Sequence, residues 1–368
     1  MKVQLNFSFG EFGLLSTIFF IPYTMMQLFS GRASDAGRAR ALILVGTPFL
    51  TISTILLGTI QNLPEALVLR AFSGIFAAMI FVPSLRILTR LDPKRVNTAI
   101  AVLGTSVAAG SIYVSLLGPE LAVLLGWCLG IAALMAPGFV VWAMNAKFVH
   151  ESIGSVTTFG DPRPKDTSSA VPLWTLKRKK TWLLGYQQFV RIGVWLTLSI
   201  WLPTFFTSAL GYDIVLGGVS LTIFSLFAML SSILGGQLAI KTGSSSKVSA
   251  FSFLGLAVAL WLTATTGEGT LAWGLVGASG IFVFMSFGPL FGILPTLYGQ
   301  DVVGFVTGIE NMLANLGAVV VPFMFGYLAD LTGHFVSSWL LIGLMAILAF
   351  ATGLPVIPIE RRGQLAGR

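Results

Sequence analysis

Long apolar stretches separated by short polar segments make up most of the chain. A helix needs roughly 20 apolar residues to cross a hydrocarbon core about 30 Å thick. Eleven stretches reach or approach this length, at about 10–30, 41–60, 66–90, 98–117, 121–145, 181–208, 215–240, 249–266, 270–297, 303–329 and 336–357. They lack the alternation of barrel strands, and a segment in lipid must satisfy its own backbone hydrogen bonds. The pattern predicts an all-α fold, a polytopic membrane helical bundle of about 11 transmembrane helices.

The composition excludes several classes of protein. Of 368 residues, 55% are hydrophobic and 10% are charged, and the mean hydropathy is +0.88, whereas a soluble domain is about 25% charged. One cysteine and two histidines, with no Cys/His cluster, argue against a disulfide or a metal site. No Gly-x-x-x-x-Gly-Lys-Ser/Thr loop is present, so an ATP-driven pump would need a partner. We expect no metal, no cofactor and no enzymatic activity.

Basic residues mark one side of the predicted bundle. Of the 22 Lys and Arg residues, 19 lie in the segments 31–40, 86–96, 146–180, 241–247 and 359–368, and the alternate loops contain none. Cytoplasmic loops of membrane proteins are enriched in Lys and Arg. We therefore expect a multi-pass protein of the cell membrane with a cytoplasmic C-terminus. The net charge of +8 then reflects topology, not nucleic-acid binding.

Two cytoplasmic turns resemble each other and indicate an internal repeat. Each has a glycine near a helix end, a second glycine in a tight turn, and nearby cations; the residues are Gly31, Asp35, Gly37 and Arg38 in the first turn and Gly236, Lys241 and Gly243 in the second. These turns are 205 residues apart, and Gly118 and Gly326, which we expect to end the spans 98–117 and 303–329, are 208 apart. Similar offsets favour two pseudo-symmetric half-bundles.

The repeat predicts four parts of the chain. These are an N-terminal half-bundle of five spans at 1–145, a cytoplasmic central loop at 146–180, a C-terminal half-bundle of six spans at 181–358, and a cytoplasmic tail at 359–368. The glycine turn follows the second span of the second half but the first span of the first half. We therefore expect a six-plus-six architecture in which the first helix is missing before residue 10.

These turns resemble a signature of the major facilitator superfamily, Gly-x-Leu-Ala-Asp-Arg-x-Gly-Arg-Arg. The second copy has the full glycine frame with Ile240 at the acidic position, and the first keeps Asp35 but is one residue short. Further similarity lies in Arg70-Ala-Phe-Ser-Gly74, Gly126-Trp127, and Asn315-Leu-Gly317 through Gly333. The resemblance covers the whole chain and implies a secondary transporter. Val114 replaces a glycine of the family's antiporter motif, which weakens the case for drug–proton exchange.

Three ionisable residues remain inside the predicted spans: Arg70, Arg191 and Glu310. A charge at the bilayer centre costs about 2.5 to 3.5 kcal/mol, so each needs a role. Arg191 lies about ten residues, roughly 15 Å, inside its span and shares a helical face with Gln187, Gln188 and Trp195. A guanidinium with amides and an aromatic wall suits an anionic group such as a carboxylate. The alternative is an internal ion pair or carbonyl clamp that only positions the helix.

Glu310 lies about seven residues into its span, on a polar stripe with Asn311 and Asn315. A buried carboxyl near an arginine is the kind of group that a proton-coupling site needs. The alternative is a latch to a cation of a cytoplasmic loop. The sequence leaves open whether Glu310 meets Arg191 in space.

The first half offers weaker candidates. Arg70 matches the fourth-helix arginine of the family, which implies a transport-linked role, but it is also close enough to the membrane boundary to snorkel or tether helices. Tyr23 and Gln27 are one turn apart and are explained equally well as interhelical hydrogen bonds.

We therefore expect a monomeric secondary transporter that moves a small-molecule substrate by alternating access. The preferred hypothesis is that the protein takes up a small organic anion together with protons, because this gives Arg191 and Glu310 separate roles. Two alternatives stay open: proton-coupled efflux of hydrophobic compounds, and a non-transporting membrane sensor or an N-terminally truncated fragment.

Overall fold

The computed structural model describes residues 7–88, 93–149, 173–267, 269–298 and 303–366. Within these ranges the chain is helical and contains no strand. It divides into two compact units, residues 1–165 and 166–368. The predicted all-α fold is confirmed.

Five α-helices form the described part of the first unit. They are α1 (Phe9–Ala33), α2 (Ala39–Leu56), α3 (Leu63–Leu88), α4 (Pro93–Met135) and α5 (Pro137–Phe148). The chain enters α1 through a capping box, in which the Ser8 hydroxyl accepts from the Glu11 N–H at 3.1 Å and the Glu11 carboxylate accepts from the Ser8 N–H at 2.8 Å. This arrangement satisfies two N–H groups that the first helical turn leaves without partners.

The prediction that the span 98–117 ends at Gly118 is wrong. Helix α4 continues through Gly118 and Pro119 and breaks at Gly126, which has φ 75° and ψ 170°. The chain reverses at this residue. The Tyr113 hydroxyl donates to the Leu134 carbonyl at 2.8 Å, whereas a straight helix would separate these two residues by about 31 Å. A positive φ favours glycine, which explains why the reversal falls at Gly126.

Ten helical stretches in the described ranges are long and apolar enough to cross a bilayer. One of them, Ala109–Phe148, contains the reversal at Gly126 and so comprises two antiparallel segments. The count therefore agrees with the predicted bundle of about 11 spans.

The second unit contains nine α-helices in its described part. They are α6 (Lys179–Ser208), α7 (Ile214–Thr242), α8 (Ser245–Thr265), α9 (Thr270–Met285), α10 (Phe287–Gly292), α11 (Leu294–Tyr298), α12 (Val303–Thr332), α13 (Val336–Gly353) and α14 (Val356–Ala366). A short 3₁₀ helix, Leu173–Lys177, precedes α6. The stretch from α9 to α11 is interrupted at Ser286 and at Ile293. Pro289 follows the first interruption by three residues and Pro295 follows the second by two, and a proline cannot donate a backbone hydrogen bond.

Glycines bring α6 and α12 into backbone contact. A β-carbon at Gly317 would overlap the main-chain carbonyl of Phe189, and one at Gly193 would lie 2.9 Å from the Gly317 carbonyl oxygen. Small residues let membrane helices approach closely and pack through their backbones. This crossing sets the distance between the polar side chains of the two helices.

The two glycine turns have the same local conformation. Gly37, in the kink Ser34–Arg38 between α1 and α2, has φ 81° and ψ 12°, and Gly243, which ends α7, has φ 64° and ψ 16°. Both values lie in the left-handed region, where a β-carbon is penalised. Gly31 and Gly236 lie in helices and need no such freedom.

Helix α14 is fastened to the start of α8 by a buried glutamate. Glu360 is 3% exposed; its carboxylate accepts from the Ser244 hydroxyl at 2.7 Å and from the N–H groups of Ser245 at 2.8 Å and Ser246 at 3.0 Å. A carboxylate is favoured at a helix N-terminus, where N–H groups lack partners. The segment predicted as a tail is therefore part of the packed second unit over the described residues.

Candidate functional site

Helices α6 and α12 bring two buried charges into one polar cluster. Arg191 is 2% exposed, and Glu310 and Gln188 are 0% exposed. Gln188 and Arg191 are three residues apart and so lie on one face of α6. The glycine crossing described above turns this face toward α12, so the structure brings together residues 122 positions apart in sequence.

Gln188 lies between the two charges. Arg191 Nε donates to Gln188 Oε1 at 2.8 Å, and Gln188 Nε2 donates to Glu310 Oε2 at 3.5 Å. Arg191 Nη1 and Glu310 Oε1 are buried and have no hydrogen-bond partner in the described part of the chain. Buried charges usually pair closely, because removing them from water is costly. This cluster instead leaves one donor and one acceptor free.

Aromatic rings cover one side of Arg191. Its guanidinium carbon lies 4.9 Å from the ring centroid of Phe287 and 5.9 Å from that of Phe291. Such cation–π contacts stabilise a cation by about 0.5 to 2 kcal/mol. Sequence reasoning missed these phenylalanines, because an apolar ring in a membrane span most often packs against lipid or other helices.

The other residues predicted on α6 lie beside the cluster. Gln187 is buried but turns to α8, where its Oε1 accepts from the Ser249 hydroxyl at 2.8 Å. Trp195 packs edge-on against Phe284, with ring centroids 5.9 Å apart. Phe284 in turn stacks on Phe287, with centroids 6.0 Å apart. Trp195 therefore reaches the ring that covers Arg191 through one intermediate aromatic residue.

The three residues of the polar stripe predicted on α12 differ in burial. Glu310 is buried, whereas Asn311 is exposed and Asn315 is half-buried. Among the described side chains of this stripe, Glu310 is the one with a hydrogen bond to the cluster.

The candidates of the first unit form a separate group around Phe19. Arg70 Nε donates to the Leu15 carbonyl at 3.2 Å, and its guanidinium lies 4.9 Å from the Phe19 ring centroid. Tyr23 stacks on Phe19 with centroids 5.8 Å apart and shares a side-chain hydrogen bond with Gln27. Arg70 therefore links α3 to α1 through the Leu15 carbonyl.

The glycine turns carry two cations whose side chains are accessible to solvent. Arg38 and Lys241 are exposed. The side chain of Asp35 lies outside the described residues.

A third polar group lies at the start of α6. The Tyr298 hydroxyl pairs with Thr181 Oγ1 at 2.7 Å, Lys180 lies 4.1 Å from the Tyr298 ring centroid, and Lys180 Nζ donates to the Leu297 carbonyl. Burial raises the pKa of Tyr298 to about 12. The phenol therefore stays neutral at physiological pH.

The Arg191 cluster has the chemistry of a site for an anion and a proton. A guanidinium is always charged and binds oxyanions through its N–H edge. The free Nη1 offers such a donor, and the free Glu310 Oε1 offers an acceptor that can take up a proton. In the described ranges no group of three His, Cys, Asp or Glu side chains is arranged to hold a metal ion.

These features define a multi-pass membrane protein with ionisable groups buried inside a helical half-bundle, as transporters have. The model of the Major Facilitator Superfamily matches residues 1–322, and the chain belongs to this family. It is therefore a secondary transporter that works by alternating access, not an enzyme, and the predicted family, transport function and absence of enzymatic activity are confirmed.

Its relatives span nearly the whole chain. "Probable galactarate/D-glucarate transporter GarP" of Escherichia coli (strain K12) is 23% identical and covers 98% of this chain and 89% of the relative. "Probable sulfoacetate transporter SauU" of Cupriavidus necator is also 23% identical and covers 100% and 90%. A crystal structure of a bacterial homolog to the human lysosomal transporter Spinster, inward-facing and occupied, has a TM-score of 0.78 at 16% identity, over 99% of this chain and 90% of that one.

Proposed function

We propose that this transporter takes up a small organic anion together with protons. Arg191 binds the anionic group of the substrate, and Glu310 takes up the coupled proton. The protein acts as a monomer in the cell membrane, with the basic loops and the C-terminus in the cytoplasm, as the distribution of Lys and Arg predicts.

The observation that carries this proposal is the free donor of Arg191. A guanidinium that is 2% exposed keeps Nη1 without a partner in the described part of the chain, although a carboxylate is buried on the neighbouring helix. An unsatisfied buried charge costs several kcal/mol. A bound carboxylate or sulfonate would satisfy this donor. The names of the two relatives given above describe them as probable transporters of galactarate or D-glucarate and of sulfoacetate. These compounds are anions, which supports an anionic substrate.

Transport in proteoliposomes tests the proposal. Purified protein is reconstituted and uptake of D-glucarate, sulfoacetate and nitrate is measured with and without an inward proton gradient. We expect uptake of at least one of the two organic anions, faster with the gradient. Arg191→Ala is expected to lower this uptake by at least about 100-fold, because a charged hydrogen bond contributes about 1.5 to 3 kcal/mol and the remaining carboxylate would repel the anion.

Arg361→Ala is the matched control, since it removes the same charge from an exposed position. Anion uptake by Arg191→Ala at the rate of the control would refute the site. If that variant keeps its flux but accepts a different range of hydrophobic compounds, the efflux alternative is correct.

A further inference from the structure

Four consecutive cations lie where the chain enters α6, from Lys177 to Lys180. Lys180 is already engaged, because its Nζ donates to the Leu297 carbonyl. The side chains of Lys177, Arg178 and Lys179 are exposed. Among the described residues no carboxylate forms an ion pair with any of these three. Adjacent like charges repel one another, so this segment carries a positive charge that nothing in the described part of the chain offsets.

The chain turns sharply at these cations. Arg178 has extended backbone angles, φ −84° and ψ 119°, between the 3₁₀ helix Leu173–Lys177 and α6. The Thr175 carbonyl fixes the corner, because it accepts from the Arg178 N–H at 3.1 Å and from Thr181 Oγ1 at 2.6 Å. The exposed cations therefore lie on a fixed turn.

Two exposed indole rings lie on the same turn. The Trp174 ring centroid is 5.5 Å from the guanidinium carbon of Arg178. Trp182 Nε1 donates to the Leu176 carbonyl at 2.8 Å, which holds the second ring against the 3₁₀ helix. Tryptophan is enriched at membrane–water boundaries, because its ring is apolar and its N–H is polar. The apolar span of α6 begins at Lys179, so both rings lie close to the boundary of the bilayer.

We infer that the basic turn, residues 173–182, binds the headgroup of an anionic phospholipid. Its three exposed cations hold the phosphate, and its two indole rings pack on the glycerol and the upper part of the acyl chains. Clusters of Lys and Arg directly beside a membrane span attract anionic lipid headgroups. Such a site goes beyond the proposed function, since it does not depend on the solute that is carried.

A phospholipid fits the basic turn better than a dissolved anion does. Free phosphate would use the cations and leave both indole rings exposed, whereas a lipid places an apolar part directly beside its charge. A zwitterionic headgroup lacks the net negative charge that would offset three cations. Because α6 also carries Arg191, a lipid bound here holds the end of the helix on which the proposed anion site lies.

Native mass spectrometry of the full-length protein in detergent tests this site. The anionic probe is dioleoyl phosphatidylglycerol, and the zwitterionic probe is dioleoyl phosphatidylethanolamine. The test variant neutralises the three exposed cations of the basic turn: Lys177→Gln, Arg178→Gln and Lys179→Gln. The matched control removes the same charge from three other exposed positions of the second unit: Lys247→Gln, Arg361→Gln and Arg362→Gln.

Wild type is expected to bind its first phosphatidylglycerol at least about tenfold more tightly than phosphatidylethanolamine. The test variant should bind phosphatidylglycerol at least about tenfold more weakly than wild type, because each cation near an anionic headgroup strengthens binding about fivefold. The control should stay within about twofold of wild type, because charges beyond a Debye length are screened. A variant with Trp174→Ala and Trp182→Ala keeps every cation and should bind about threefold more weakly, because it loses apolar contact with the lipid.

Four contrary results would overturn the assignment. Equal binding of the two lipids by wild type would mean that headgroup charge is not selected. Equal losses in the test and control variants would reflect the total positive charge of the protein. Displacement of phosphatidylglycerol by millimolar inorganic phosphate at constant ionic strength would indicate a site for a dissolved anion. Wild-type binding in the tryptophan variant would remove the rings from the site. None of these results touches the proposed function, which Arg191→Ala tests separately.

Discussion

Removing the Glu360 carboxylate should loosen the start of α8 in a measurable way. The carboxylate is 3% exposed and accepts three hydrogen bonds of 2.7 to 3.0 Å from Ser244, Ser245 and Ser246. Glu360→Ala removes the acceptor of the Ser245 and Ser246 N–H groups and of the Ser244 hydroxyl, while that hydroxyl still accepts from the Lys247 N–H and caps α8. A hydrogen bond to a charged group contributes about 1.5 to 3 kcal/mol. Because the three bonds share one carboxylate and their contributions do not simply add, we expect a local loss of about 2 to 4 kcal/mol.

Hydrogen exchange read by mass spectrometry measures this loss directly. A change of 2 kcal/mol corresponds to roughly 30-fold faster exchange when local opening controls the rate. Peptides covering residues 244–247 in Glu360→Ala should therefore exchange at least about 30-fold faster than in wild type. Glu360→Gln should show a smaller increase, since an amide oxygen still accepts from one N–H. Arg361→Ala is the control, because it changes the neighbouring exposed side chain.

Unchanged exchange at 244–247 in Glu360→Ala would refute the reasoning. It would mean that the N–H groups of α8 find other partners and that the carboxylate does not hold α14 to this turn. Faster exchange along the whole of α8 and α14 in the Arg361→Ala control would refute it as well, because the effect would then not depend on the carboxylate.

Three further outcomes are expected. Gly317→Ala should lower the yield of folded protein and its melting temperature in detergent, because a β-carbon there overlaps a main-chain carbonyl of α6; an unaltered melting curve would contradict the close crossing. Gly243→Ala should destabilise the protein by about 1 kcal/mol, because Gly243 has a φ of 64°. Gly236→Ala should leave the stability unchanged, because Gly236 lies in a helix with open space around it. Equal melting temperatures for the two variants would contradict this difference. Phe287→Leu should raise the KM for anion uptake about threefold to tenfold by removing a ring 4.9 Å from Arg191, and an unaltered KM would show that the ring does not position the guanidinium.

Sequence reasoning located the charged residues of the site but not all of their partners. Arg191 and Glu310 were identifiable because any charge in an apolar span of this length has to be explained. Gln187 precedes Arg191 by four residues and Gln188 precedes it by three, so helical spacing places both amides near the face of Arg191. In the structure only Gln188 bonds Arg191, because Gln187 meets Ser249 on α8.

The remaining partners come from other helices. Phe287 carries no polar signal, so its contact with Arg191 depends on how the interrupted stretch from α9 to α11 packs on α6. Glu360 follows the last apolar stretch, so the sequence predicts that it belongs to a charged tail. Its burial depends on α14 folding back to the start of α8, which the composition of that segment does not indicate.

Local features of the chain were sufficient to predict a helical membrane bundle of the major facilitator type, with basic loops on one side and three ionisable residues inside the predicted spans. Span length, loop charge and glycine turns are local properties, and the bilayer acts on each segment separately. The reversal of the chain at Gly126 and the position of Gln188 between Arg191 and Glu310 became apparent only in the packed structure. Those contacts depend on where backbones cross, and the α6–α12 crossing is set by glycines whose effect appears only when two distant helices meet.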